Sequence, residues 1–354
     1  MELKKIMTLT VNGIMKKHIL SFVFVCIVLL NLGCKKSPTE VIDNTQPGRR
    51  DYVWTVDTLK IPFTVLYSIW GSTPNDVWAV GPGGGLDQTI WHYDGAKWKT
   101  DGISRGISPN VVWGFDKNNV WLGGNEGRIW HNNGEGWLES INYKKNGYRI
   151  GFFDVWGDSS NNLFAVGYAD SGTVRKGIIL HYNGEKWSEA NILSVPYQFQ
   201  RIRRGIKTSN NYYLSGAGHD SYAGLFDFDG YTLHLIYEEP FSPSTWTDVH
   251  EVDGYLYAII GKEIKIGTPQ GLSLYFRVDD PNFGGQIFGR SKKDIFIRML
   301  DGIAHYNGSD IEYLYKFNSQ TSISGAAIFD KEVFFLALDV PSFSNIIIHG
   351  KQKE

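Results

Sequence analysis

The sequence predicts an all-β fold, and three observations predict it. A unit of about 43 residues recurs along the chain. Each copy holds short apolar runs between turn residues, and the segment ahead of the first copy matches the end of the others. The clearest copy is residues 155–187, VWGDSSNNLFAVGYADSGTVRKGIILHYNGEKW. The same order of residues returns in 112–137 and, with Trp70-Gly71 ahead of it, in 76–98. A single unit of this size cannot bury its apolar faces alone, so copies must pack on one another. The prediction is a seven-bladed β-propeller of four-stranded antiparallel blades, closed by an N-terminal outer strand on the last blade.

Within a unit, strand a ends at Trp-Gly, strand b is the Leu163–Val166 type, strand c the Ile178–His181 type, and strand d begins near Trp187. The runs are rich in β-branched and aromatic residues and are bounded by turn formers. Asp94-Gly95, Asn133-Gly134 and Asn183-Gly184 supply the positive φ that tight hairpins need. Asp76, Asn119, Asn162, Asn211 and Asp294 stand ahead of strand b, and their recurrence assigns them to turns rather than to a metal or catalytic set. Trp70, Trp113 and Trp156 in strand a, and Trp98, Trp137 and Trp187 in strand d, are sized to fill the wedge between neighbouring sheets.

The ends of strand c count the blades: His92, His131 and His181, then Asp229-Gly230, a weaker match near Gly271, then His305 and His349. The six intervals average about 43 residues, which requires the two faded units. The last unit leaves no room for a strand d, whereas YVWTVDTL at Tyr52–Leu59 lies ahead of the first strand a, with Trp54 at the tryptophan position. That segment is expected to complete the last blade, which removes both open sheet edges.

Residues 1–33 read as a signal peptide: Lys16-Lys17-His18 precede an apolar run over 19–32, too short for the roughly twenty residues that span a bilayer. Met15 is a second candidate start. The end of the run, Leu30-Asn31-Leu32-Gly33-Cys34, resembles the lipobox of bacterial lipoproteins, in the relaxed form found in Bacteroidetes, with Asn31 departing from the usual leucine. The resemblance implies a lipid on Cys34 and attachment to the outer membrane, facing the periplasm or the surface. Residues 34–50, polar with two prolines, are expected to be a flexible tether, and 51–354 one propeller domain. Cys26 is the only other cysteine, so a disulfide framework is excluded. Removing residues 1–33 takes the formal charge from −2 to −5, which argues against nucleic acid as a partner.

The repeats also resemble the Trp-Gly…Asp-Val-Trp-Ala-Val-Gly…His-Tyr-Asp-Gly-x-x-Trp repeat proteins of bacterial envelopes, over nearly all of 52–350. That resemblance implies a fold and a location but no reaction. The Asp boxes of sialidases, Ser-x-Asp-x-Gly-x-x-Trp, are not reproduced.

Function is expected on the variable connections, b–c (81–89, 167–177, 216–224) and d–a (142–150, 191–204, 237–246, 277–286), which emerge on one face of the disc. They carry Lys144, Lys145, Tyr143 and Tyr148, and the candidate ligand-binding residues are Arg149, Tyr197, Arg201, Arg203, Arg204 and Tyr222. Arginine and aromatics dominate binding hot spots, and arginine holds a carboxylate with two hydrogen bonds. The expected function is a noncatalytic binding or scaffold module for a protein, peptide or glycan, with no cofactor and no metal. His92, His131, His181 and His305 read as capping turns, and His219-Asp220 and His250-Glu251 form no catalytic motif. The alternative is a propeller-type glycoside hydrolase or lyase, which needs paired carboxylates at a central pocket; Asp170, Asp220 and Asp279 are its candidates.

Overall fold

Short apolar runs separated by Asx-Gly turns fold as the repeat dictates, into hairpins that wind outward from a common axis. The computed structural model describes residues 46–60, 64–82, 88–190, 199–209, 211–218, 222–240, 246–318 and 320–354. Residues 1–45, which hold the expected signal peptide, Cys34 and most of the expected tether, lie outside the described residues, as do Tyr197, His219 and Asp220.

Among the described residues there are 28 strands in seven antiparallel sheets of four. Blade 1 is β2 (Ser68–Thr73), β3 (Asp76–Val80), β4 (Ile90–Tyr93) and β5 (Trp98–Lys99); blade 2 is β6 (Pro109–Asp116), β7 (Asn119–Gly124), β8 (Arg128–Asn132) and β9 (Trp137–Asn142). Blade 3 is β10 (Arg149–Ser159), β11 (Asn162–Asp170), β12 (Arg175–Tyr182) and β13 (Trp187–Glu189). Blade 4 is β14 (Phe199–Lys207), β15 (Tyr212–Gly218), β16 (Tyr222–Phe228) and β17 (Leu233–Pro240). Blade 5 is β18 (Thr247–Val252), β19 (Tyr255–Ile260), β20 (Glu263–Thr268) and β21 (Gly271–Arg277); blade 6 is β22 (Phe283–Ser291), β23 (Asp294–Met299), β24 (Gly302–Tyr306) and β25 (Ile311–Lys316). Blade 7 is β26 (Thr321–Ile328), β27 (Glu332–Asp339), β28 (Ser344–Gln352) and, outermost, β1 (Tyr52–Leu59). The closure expected from the sequence is present, with Tyr52 opposite Gln352 and Leu59 opposite Asn345.

Consecutive blades share cores. Trp156 and Phe164 of blade 3 bury against Ile202 and Leu214 of blade 4, while Leu163 and Ala165 turn the other way onto Val111 and Trp121 of blade 2. Each large apolar side chain so buried contributes about 1.5–3 kcal/mol. Close approach fixes a glycine at several seams. A methyl on Gly205 would lie 2.2 Å from the Trp156 ring, and one on Gly114 would lie 2.8 Å from Trp70.

Three details differ from expectation. Strand a runs two residues past Trp-Gly, to Thr73, Asp116 and Ser159, through a bulge. The polar residues ahead of strand b are mostly its first residues, and besides bonding across the a–b turn, as Asp76 does to Ser72, Asn162 to Asp158 and Asp294 to Arg290, they have a second role. They bind the strand-c histidine of their own blade: His92 to Asp76 (2.7 Å), His131 to Asn119 (2.9 Å), His181 to Asn162 (2.7 Å) and His305 to Asp294 (2.8 Å). Blade 7 repeats the bond with His349 and Glu332 at 2.8 Å. These histidines therefore staple b to c rather than cap turns, and most stack on the strand-b aromatic as well, as His131 does on Trp121. Only Asn211 sits in a turn, bonded to Thr208.

The third difference concerns the tether, whose last residues are held. Gly48 N donates to Lys293 O at 2.8 Å, and the Arg50 guanidinium binds Asp310, Glu312 and the His305 carbonyl. These partners lie at or next to the a–b and c–d turns of blade 6, so the chain enters the ring on the face opposite the b–c and d–a connections.

Candidate functional site

The seven strands a line a channel on the ring axis with a volume of about 560 Å³. One register position of strand a recurs in blades 1 to 5: Ser68, Val111, Asp154 and Arg204, which line the channel, and Asp248 behind Arg204. Its side chain reaches the next blade. Ser68 Oγ accepts Val112 N at 3.1 Å, and Asp154 Oδ2 accepts Gly205 N at 3.0 Å. Across blades 4 and 5 the Arg204 guanidinium donates to both oxygens of Asp248, at 3.2 and 3.1 Å.

Charge in this arc is balanced by geometry. Burial pushes the Asp154 carboxyl up to about 6, against the pull of Arg204. Burial works on Asp248 too, but Arg204 and His250 hold it below the usual carboxylate range. His250, 5 % exposed with its Nε2 3.6 Å from Asp248, is pushed by burial down to about 3 and is neutral at pH 7. Asp154 and Asp248 are thus paired carboxylates near a central pocket, as an enzyme would need. Their oxygens are already engaged: Asp154 accepts Val155 N and Gly205 N, and Asp248 accepts Val249 N, Ser215 Oγ and Arg204. They serve the seams between blades.

Strand a bends outward at its upper end through bulges, at Asn110, Phe153, Arg203 and Ser324, which turn those side chains to the channel. From Phe153 a ladder of contacts runs to the rim of blade 3. Phe153 packs on Tyr168 (5.3 Å between rings), and the Arg175 guanidinium lies 5.1 Å over Tyr168. Arg175 also holds Asp170 at 2.6 Å, and Arg149 stands 3.5 Å from the same carboxylate. Gly151 makes this possible, because a methyl there would lie 2.5 Å from the Tyr168 ring. The hydrogen bond from Arg175, with that of Gly172 N, holds the Asp170 carboxyl below its ordinary value. Arg149 itself is 80 % exposed and loosely held.

The same face carries exposed apolar side chains at its connections: Tyr67, Ile103, Val174, Tyr222, Leu300 and Phe343. Phe343 adopts φ 50°, a left-handed conformation rare for a bulky residue, with its ring in solvent.

The expected site residues are therefore distributed as follows. Arg201, Arg203 and Arg204, placed by the sequence in a d–a connection, belong to β14, because the strand begins at Phe199. Arg203 faces the channel, and Arg204 is committed to Asp248. Arg149 begins β10 at the rim, and Tyr222 begins β16, further out on blade 4. Lys145 is paired with Glu189 at 2.7 Å, and Lys144 reaches Glu126 O. Asp170 is held by two arginines at the rim and Asp279 sits in solvent beside Arg277, so neither faces the channel. Sequence reading passed over Arg175, Tyr168, Asp154 and Asp248. For the last two, alignment of strand a against Ser68 is the signal that finds them. Among the described residues no group of three histidine, cysteine, aspartate or glutamate side chains could hold a metal ion.

No protein-family model matches the sequence, and the comparison with curated proteins finds no match. Solved structures share its fold. YCF48 bound to D1 peptide is 12 % identical, covering 87 % of this chain and 100 % of that one, with a TM-score of 0.59. YCF48 from Cyanidioschyzon merolae is 13 % identical over 84 % of this chain and 98 % of its own, also at 0.59. The β-propeller domain of Myceliophteria thermophila Cps50 (Swd1) is 8 % identical over 83 % and 99 %, at 0.56. At these identities the likeness is one of fold alone.

Proposed function

We propose that the protein is a noncatalytic binding or scaffold module that docks an acidic segment of a protein or peptide on the face of the b–c and d–a connections. The observation that carries this reading is the meeting, on that one face, of a basic rim at Arg149 and Arg175 with exposed apolar side chains such as Tyr67 and Phe343. Charge alone would suit any polyanion. Tyr67, Ile103, Val174, Tyr222, Leu300 and Phe343 add apolar surface that the side chains of a peptide can cover, which favours protein over glycan. One structure of this fold, YCF48, holds a peptide, a precedent for the same use here.

Anchoring by a lipid on Cys34, in a bacterial envelope, belongs to the same reading and is supported by the lipobox-like residues 30–34. Gly48 and Arg50 are held on the face opposite the proposed binding face.

The test is a titration of labelled hexaglutamate and hexaserine peptides with the Cys34→Ser chain. The acidic peptide binds, its affinity falls with added salt, and Arg149→Ala with Arg175→Ala weakens it at unchanged melting temperature. Equal binding of hexaserine, or none of either, would overturn the reading.

A further inference from the structure

We propose that Arg298, with Gln286 and Ser322, forms an oxyanion subsite at the inner edge of blades 6 and 7, taking a carboxylate or phosphate group brought by a ligand. Arg298 lies near the upper end of β23, and its side chain crosses strand a of its own blade. Its Nη1 donates to Gln286 Oε1 at 3.1 Å and its Nη2 to Ser322 Oγ of blade 7 at 3.2 Å. Both partners are neutral. Gln286 also lines the channel, so the guanidinium sits beside it.

The other arginines show what is missing. Arg105, Arg128, Arg204, Arg277 and Arg290 each form an ion pair with a carboxylate. Among the described residues Arg298 has none, and burial alone moves its pKa, downward. A partly buried cation without a counter-charge is costly to the fold and is expected where a ligand supplies the anion.

The local backbone is shaped around it. Strand a of blade 6 bulges between Phe283 and Ile287, through Gly284-Gly285-Gln286. A methyl on Gly284 would lie 2.8 Å from Arg298 Cγ, and Gly285 holds φ +72° against the Trp246 ring. The bulge therefore makes room for the arginine stem and presents Gln286, which fixes the guanidinium plane. A planar fork held on neutral acceptors, with further N–H groups to spare, suits an oxyanion.

The test follows thermal unfolding of the full chain with sodium phosphate, or with hexaglutamate peptide, each against sodium chloride at equal ionic strength. Either anion raises the wild-type melting temperature; Arg298→Gln abolishes the rise with phosphate and reduces the rise with the peptide, which the rim of blade 3 also binds. Without anion, Arg298→Gln melts no lower than wild type, because glutamine keeps polar contacts and removes the charge. If that variant does not fold, Arg298→Lys serves in its place: the charge stays, the planar fork is lost, and the rise shrinks. A loss of response to phosphate alone in Arg298→Gln assigns the subsite to phosphorylated or free phosphate ligands; a smaller response to the peptide in that variant assigns it to side-chain carboxylates. The double variant Arg149→Ala, Arg175→Ala keeps its phosphate response, so this subsite and the rim of blade 3 fail or stand separately. A wild type unmoved by both anions, or an Arg298→Gln protein that responds fully, overturns the proposal.

Discussion

The Tyr52 hydroxyl accepts a hydrogen bond from Arg290 Nη2 at 2.6 Å, so the strand that closes blade 7 is also held by blade 6. Arg290 binds Asp294 and the Phe329 carbonyl as well, tying the b strand of blade 6 and the a–b turn of blade 7 to the same point. Hydrogen bonds to a charged group are worth about 1.5–3 kcal/mol. Tyr52→Phe is expected to lose about that much, and deletion of residues 46–59 far more, because it reopens a sheet edge. Urea denaturation with an unchanged midpoint for the deletion would show that the ring closes by other means.

Arg204 and Asp248 predict a strongly non-additive pair. Asp248→Ala takes away the carboxylate that Arg204 is hydrogen-bonded to, leaving only the attraction of Asp154, and is expected to cost about 3 kcal/mol. Replacing both residues with leucine removes the stranded charge along with the pair, and should cost less than Asp248→Ala alone. A double-mutant cycle reads the coupling directly, and additive losses would mean that the pair contributes little.

Asp154 predicts a pH dependence of definite sign. Its carboxyl is raised in the folded protein to about 6, above its unfolded value near 3.9. Its contribution to stability is therefore present at pH below about 4 and is lost as pH rises through 6. Relative to Asp154→Asn, the wild type should lose stability over that window, by on the order of 2–3 kcal/mol. Denaturation of both proteins from pH 4 to pH 7 measures the difference, and parallel curves would place the titration elsewhere.

Gly205→Ala is expected to cost about 1–3 kcal/mol, because the new methyl meets the Trp156 ring at 2.2 Å. Melting of the single variant is the check, and an unchanged melting temperature would mean that the seam between blades 3 and 4 can open without penalty.

The fold was legible because each repeat carries its own signals. Asx-Gly turns, the strand-d tryptophans and the strand at Tyr52–Leu59 all act locally or recur at fixed spacing. The staples between b and c leave half a trace: His131 and Asn119 each recur in the sequence, but only the antiparallel register shows that they meet. The arginines at 201–204 misled for a related reason. A bulge breaks the alternation of β14, so Arg203 and Arg204 look like loop residues in sequence and are strand residues in space. Pairing across blades, as between Arg204 and Asp248, leaves no local trace at all. Nor does the lack of a counter-charge at Arg298 among the described residues, which depends on residues scattered over two blades.

The most direct measurement of the binding account is hydrogen–deuterium exchange of the chain with and without a bound acidic peptide. The account predicts slowed exchange at residues 143–153 and 168–177, around Arg149, Tyr168 and Arg175, and no change at the c–d turns near Asp94, Asn133 and Asn183. Protection of those turns with the rim of blade 3 unaffected would place the ligand on the opposite face and contradict it.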